Sequence, residues 1–171
     1  MTIVRTWLHG CITSNHAIII NFKNKFSTST VINLPDANCI EAELAFYPDT
    51  VPHRAVIKKQ KDIFSSLQVK LNFQSGWMEQ HDAKINMLKN NPWVNNISWL
   101  IKNVSILSDG SRWIICDNDK NFKPISPSYP PDNALAMLLA GNRQPMDIAF
   151  VEYDDGIFPL GFFKDNKYQC L

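Results

Sequence analysis

Glycine is scarce in this chain, with six in 171 residues, and none of them opens a glycine-rich loop ahead of a helical pattern. A nucleotide-phosphate cradle needs backbone N–H groups brought close by such glycines, so the shortage argues against phosphate-loop chemistry. An excess of either charge is lacking too. Lys+Arg is 17 and Asp+Glu is 16, which supplies no general pull toward polyanions or acidic membranes. Weak repulsion between copies leaves self-association open. The four cysteines, Cys11, Cys39, Cys116 and Cys170, are scattered without a C-x-x-C or C-x-C, so no zinc framework is spelled out and no metal is expected. Cys11 and Cys116 fall in apolar strand-like runs, where cysteine behaves as a small buried hydrophobe. No apolar run approaches the roughly 18 residues of a membrane span, and Arg5 and His9 break up what a signal peptide would keep apolar. The expected setting is cytoplasmic, without membrane or cofactor. The sequons Asn96-Ile97-Ser98 and Asn103-Val104-Ser105 then carry no meaning.

What is present is a plan used twice. Thr6-Trp7-Leu8 opens a run that turns at Ser14-Asn15 and ends in Ala42-Glu43-Leu44-Ala45-Phe46-Tyr47, with Asp49 and Pro52 just beyond. Ser98-Trp99-Leu100 opens a second run that turns at Asp109-Gly110. That run ends in Ile148-Ala149-Phe150-Val151-Glu152-Tyr153, with Asp155 and Pro159 beyond. Each stretch has one apolar face to bury, and the other stretch is its natural partner. The 45% apolar fraction and this patterning predict one globular domain over 1–171, a pseudo-repeat of 3–57 and 98–163. The fold class is α+β: antiparallel sheet from two related hairpin-pair units, with helices inserted between and within them.

Strands are expected at Ile3–Ile12, Ala17–Phe22, Ile40–Phe46 and Arg54–Ile57, with Pro48 and Pro52 bracketing a turn. A helical segment, 62–91, links the units. Ile63, Phe64, Leu67 and Leu71 recur at helical spacing. After Gly76 a second helix, about Met78 to Asn90, places Trp77, His81, Ile85 and Leu88 on one stripe, and Pro92 ends it. Ile101–Leu107 and Arg112–Cys116 flank Ser108-Asp109-Gly110-Ser111, a strong hairpin signal. Asp132 reads as an N-cap and Gly141 as a stop around Ala134–Ala140, a helix apolar all round and so expected to be buried. Ile148–Tyr153, a turn at Asp154-Asp155-Gly156, and Ile157–Phe163 make the last hairpin.

Leu138-Leu139-Ala140-Gly141-Asn142, then Phe150-x-Glu152-Tyr153-Asp154 and Pro159-Leu160, resemble a pattern found in bacterial proteins carrying SWIM-type zinc fingers. Phe46-Tyr47-Pro48 followed by Pro52 and Arg54-Ala55 resembles an earlier part of the same region. The zinc motif, C-x-C followed by C-x-H, is absent. The resemblance therefore implies the accessory region without its zinc-binding partner, and it carries over no catalytic residue.

The densest group of reactive types is Glu41, Glu43, Asp49, His53, Arg54 and Lys58. Carboxylates there could hold a metal while a lysine orients water, as in a metal-dependent hydrolase or nuclease. Glu43, Asp49, His53 and Arg54 are the catalytic candidates of that reading. The spacing lacks an acidic-x-Lys pair on one strand, and alternating charges beside a turn are ordinarily a solvated face. His9, His16, His53 and His81 could supply a general base, yet no G-x-S-x-G sets up a nucleophile. Lys58, Lys59 and Lys61, with Lys70, Lys84 and Lys89, could form a basic helical side for nucleic acid. The expected function is a non-catalytic binding or accessory module acting with a protein partner. The hydrolase and the nucleic-acid binder are its alternatives.

Overall fold

The computed structural model describes residues 2–11, 15–23, 39–48, 53–64, 71–93, 97–165 and 167–171. They form an α+β protein with two helices and two mostly antiparallel sheets. The chain divides into two compact units, Met1–Leu71 and Asn72–Leu171. No helix among the described residues is long and apolar enough to cross a membrane.

The first unit is a four-stranded sheet of β1 (Thr2–His9), β2 (His16–Lys23), β3 (Cys39–Phe46) and β4 (His53–Phe64), in the order β1-β2-β4-β3. β1 and β2 pair antiparallel from Thr2↔Lys23 to His9↔His16, and β3 and β4 pair antiparallel with two register shifts. The hairpins join through a short parallel contact, Ala17↔His53 and Ile18↔Arg54. Ala17, Ile18, Ile19 and Ala55 are buried; successive strand residues point to opposite faces, so β2 is covered on both faces at Ile18 and Ile19.

The second unit carries α1 (Trp77–Asn90), β5 (Ser98–Ser108), β6 (Trp113–Cys116), β7 (Phe122–Pro124), α2 (Pro131–Ala140), β8 (Met146–Tyr153), β9 (Gly156–Lys164) and β10 (Lys167–Cys170). Its six strands run in the order β10-β9-β8-β5-β6-β7, all antiparallel. Ile101, Val104, Ile115, Met137, Ile148, Phe150, Val151 and Ile157 are fully buried. Trp77 packs edge-on against Phe150 at 5.3 Å between ring centroids. A bulge in β5 between Ile101 and Val104 places Asn103 at φ 53, where its N–H donates to Asp147 Oδ1 at 2.9 Å. A short polar side chain tolerates that left-handed backbone better than a branched one would.

Several local expectations need correction. The helix expected to start at Asp62 is strand over its described part: Ile63 pairs with Ile40 and Phe64 with Cys39, so cross-strand partners override the helical spacing. Lys58, Lys59 and Lys61 accordingly lie on β4 and not on a helical side. On α1 the exposed residues include His81 and Ile85, whereas Trp77 and Gln80 are buried. The N-cap of α2 is Pro130, with Asp132 in the first turn. That helix buries Ala134 and Met137 but leaves Leu135 45% and Leu139 69% exposed. It packs one stripe against β5, and its apolar composition does not bury the other.

Candidate functional site

The cluster around Glu43 resolves into paired surface charges. Glu43 meets Lys58 at 3.5 Å and Glu41 meets Lys61 across β3 and β4, with every one of these side chains at least half exposed. Pairs this exposed to water contribute little to stability. Arg54 lies over the Tyr47 ring, 4.9 Å from its centroid, and the Tyr47 N–H donates to the Arg54 carbonyl. His53 opens β4 opposite Ala17. Asp49 lies outside the described residues, as do Ser14 and Lys70. Among the described residues no three His, Cys, Asp or Glu side chains come together as a metal site.

A denser group lies in the second unit. It starts at the N-terminus of α1, where Gly76 offers no side chain to cap the helix. Asp117, from the β6–β7 turn, caps it instead: Trp77 N–H donates to Asp117 Oδ2 at 2.9 Å. A Cβ on Gly76 would stand 2.9 Å from that same oxygen, so glycine is required by space. Ser75 adds a second tie, its N–H and hydroxyl both donating to Glu79, and these bonds hold the Glu79 carboxyl below its ordinary range. The turn Asp117-x-Asp119-x-Asn121 has the spelling of an oxygen-ligand loop. Its first carboxylate is already spent on Trp77 N–H and on Asn121 N–H, the latter at 2.9 Å.

With α1 anchored this way, its inward stripe is Trp77, Gln80 and Lys84. Glu152 of β8 stands opposite, accepting from Lys123 of β7 at 2.7 Å, Lys84 at 2.9 Å and Gln80 at 3.1 Å. Lys123 also donates to Gln80 Oε1 at 2.8 Å and lies 5.2 Å from the Trp77 ring centre. Two ammonium groups thus share one carboxylate around a fully buried Gln80. Burial pushes the Glu152 carboxyl up, but the hydrogen bonds and charges of Lys123 and Lys84 outweigh it and leave it below the ordinary range. Glu152 is therefore a fixed anion at neutral pH. Its hydrogen-bonding partners are directed at one another, so the group braces α1 against the sheet and presents no idle base or nucleophile.

This brace escaped the sequence reading. Glu152 was visible only within the pattern Phe150-x-Glu152-Tyr153, and Lys84 only as a surface charge. Gln80 and Lys123 gave no sign. The available signal was the 3-then-4 spacing of Trp77, Gln80 and Lys84, which puts all three on one helix face.

The first unit has its own cluster at the closed end of β1 and β2. His9 faces His16 in register, with ring centroids 4.6 Å apart and edge-on. Burial, then the neighbouring His16, lowers His9 to about 3, and burial lowers His16 as well. Both rings are neutral at physiological pH. Gly10 N–H closes the end by donating to the Asn15 carbonyl at 2.8 Å. The Cys11 thiol donates to the His9 carbonyl at 3.8 Å. Burial and then Cys39 push the Cys11 thiol up.

No family model, curated protein or solved structure matches this chain.

Proposed function

We propose that the protein is a non-catalytic binding or accessory module that works with a protein partner in the cytoplasm. The observation that carries this reading is one face of the first unit's sheet. Ile3 pairs with Phe22, Ile18 with Arg54, and Val56 follows two residues along the same face, while Tyr47 lies under Arg54. Ile3, Phe22, Tyr47 and Val56 are each more than 40% exposed. Arg5 joins them from β1, opposite Ile20. Large apolar and aromatic side chains interspersed with arginine are the composition of interface centres, where Tyr, Trp and Arg dominate the energy. Scattered exposed apolar residues are normal, but several sharing one sheet face mark an interaction surface. The resemblance to the accessory region of SWIM-type proteins supports the same reading.

The test is affinity capture from the cells the protein comes from, comparing the natural chain with Val56→Asp and Phe22→Ser. The reading expects a partner held by the natural chain and lost from both variants, with circular dichroism and melting unchanged. Equal retention by all three would overturn it. Hydrolysis of a phosphodiester with Mn²⁺, abolished by Glu43→Gln, would promote the enzyme of the Glu43-Asp49-His53 neighbourhood instead. Binding to single-stranded nucleic acid that weakens steeply between low and moderate salt, and is lost with Lys58, Lys59 and Lys61 changed to Glu, would promote the third reading.

A further inference from the structure

We propose that His9 and His16 form a two-imidazole chelate for a divalent transition-metal ion, copper(II) or nickel(II), at the closed end of β1 and β2. In sequence they are unremarkable, separated by residues 10–15 and belonging to no metal-ligand motif. The fold makes them the last pair of the β1–β2 ladder. Gly10 N–H donates to the Asn15 carbonyl at 2.8 Å, so the ladder bonds fall on that next pair of residues. His9 and His16 are then the non-hydrogen-bonded pair beside it. In such a pair the two side chains leave one face of the sheet and stand closer than those of its neighbours. The ring centroids are 4.6 Å apart. Both residues are half-buried, while Gly10 and Asn15 beside them are exposed, so water reaches this end of the hairpin.

Two imidazoles bind one ion when a nitrogen of each lies about 2.0–2.1 Å from it. At this ring separation an ion so shared is held at roughly a right angle. Tetragonal copper(II) and nickel(II) sites hold their ligands that way, and imidazole suits both ions. The second torsion of a histidine side chain is broad, so the edge-on rings can turn their nitrogens to a common point without moving the strands. A neutral imidazole gives one nitrogen to the ion and keeps an N–H on the other to donate. Burial leaves both rings neutral at physiological pH, so binding displaces no proton. Cys11 lies two residues beyond His9, but its thiol is turned to the His9 carbonyl. No three His, Cys, Asp or Glu side chains assemble as a metal site among the described residues, so the ion's other positions fall to water or an incoming ligand. Bound there, the ion ties the ends of two strands together and favours the folded state.

The natural full-length chain, stripped of metal by dialysis against a chelator and kept reduced, is titrated with nickel chloride near neutral pH. Calorimetry gives the affinity and stoichiometry, and NMR of the histidine rings gives the place. The expected result is one ion per chain, ring signals that shift or broaden most at His9 and His16, and a melting temperature that rises with nickel concentration. His9→Gln and His16→Gln should each weaken binding by at least about tenfold, since even the outer partners of a metal site are worth that much. His81→Gln and Cys11→Ser should bind as the natural chain does. If one histidine variant fails to fold, the other and the ring signals of the natural chain still decide. Signal changes centred on other histidines or on cysteines, binding lost with Cys11→Ser, or undiminished binding by both histidine variants would each overturn the proposal. So would binding no tighter in the fold than in urea.

Discussion

The two units use the same parts and join them differently. Each has an N-terminal antiparallel pair, β1–β2 or β5–β6, and a later one, β3–β4 or β8–β9. In the first unit the pairs meet through β2 and β4, in parallel and over two residue pairs. In the second they meet through β5 and β8, antiparallel and from Ser98↔Val151 to Val104↔Met146. Trp7 therefore lies on an edge strand and pairs with Ile18, whereas Trp99 lies on an interior strand and pairs with Phe150. A long antiparallel join lets one continuous apolar surface be covered from both sides, and the second unit has the fully buried interior that follows. The first unit's described strands keep Ile3, Phe22, Phe46, Val56 and Phe64 in contact with water. The described part of the second unit has the larger fully buried interior, although it too leaves Trp93 87% and Leu139 69% exposed.

The sharpest break of that comparison is a cavity in the better-packed unit. Phe150→Ala removes a ring with no solvent exposure that supports Trp77, and such truncations cost about 3–5 kcal/mol. Hydrogen exchange resolved by peptide should show the loss in β5, β8 and α1. A loss below about 1 kcal/mol would mean that this core is not the close-packed one described.

Next comes the brace. Glu152→Gln leaves Lys84 and Lys123 without their shared anion, and removing one partner of a buried pair costs about 3–5 kcal/mol. Lys84 is 37% and Lys123 22% exposed, so water compensates in part and about 2–3 kcal/mol is expected. Urea unfolding measures it directly. The Glu152 carboxyl is lowered in the fold, so its contribution is present above the unfolded value near 4.5 and is lost as pH falls through the lower folded value.

Acid separates the units further. His9 falls to about 3 in the fold and His16 is lowered too. A histidine depressed in this way binds fewer protons folded than unfolded, so stability present above about 6.5 drains away as pH falls toward the folded value. At pH 5 His9 alone would remove about 2 kcal/mol. The first unit should loosen between pH 6.5 and 5, while the Glu152 brace holds until below 4.5. Histidine ring resonances that titrate near 6.5 would show the pair to be solvated and cancel the difference.

How much of this could be read from residues alone follows the range of the interactions. The Asp109-Gly110 hairpin was legible because its cause is local. Gly110 takes φ 89, and Asp109 accepts from Ser111 and Arg112 N–H groups. The Asp154–Gly156 turn was legible for the same reason, with Gly156 at φ 142. α2 does stop at Gly141, but that glycine keeps right-handed backbone and the left-handed residues are Asn142 and Arg143. Ile63 and Phe64 misled, since their helical spacing competes with strand partners in Ile40 and Cys39 that only the fold supplies. The brace was hidden more thoroughly. Gln80, Lys123 and Glu152 come from α1, β7 and β8, and nothing in a lysine says which distant carboxylate will claim it. Polar side chains turned inward defeat a reading that assigns interiors by hydrophobicity.

The smallest expected effect tests that last point on α2. Its sequence is apolar around its whole circumference, yet Met137 is completely buried and Leu139, two residues on, is 69% exposed. Residues two apart on a helix point to different sides, so one helix offers both environments at matched chemistry. Met137→Ala removes a side chain whose sulfur accepts from Tyr129 and should cost about 2–5 kcal/mol by opening a cavity beneath the helix. Leu139→Gln exchanges one good helix former for another at a position already in water and should change stability by no more than about 0.5 kcal/mol. It should also raise solubility, because an apolar face shared with Leu135 becomes interrupted. Paired urea titrations of the two variants supply the measurement. A loss above about 1.5 kcal/mol for Leu139→Gln would place that leucine in a packed setting and return α2 to the buried role that its composition suggested.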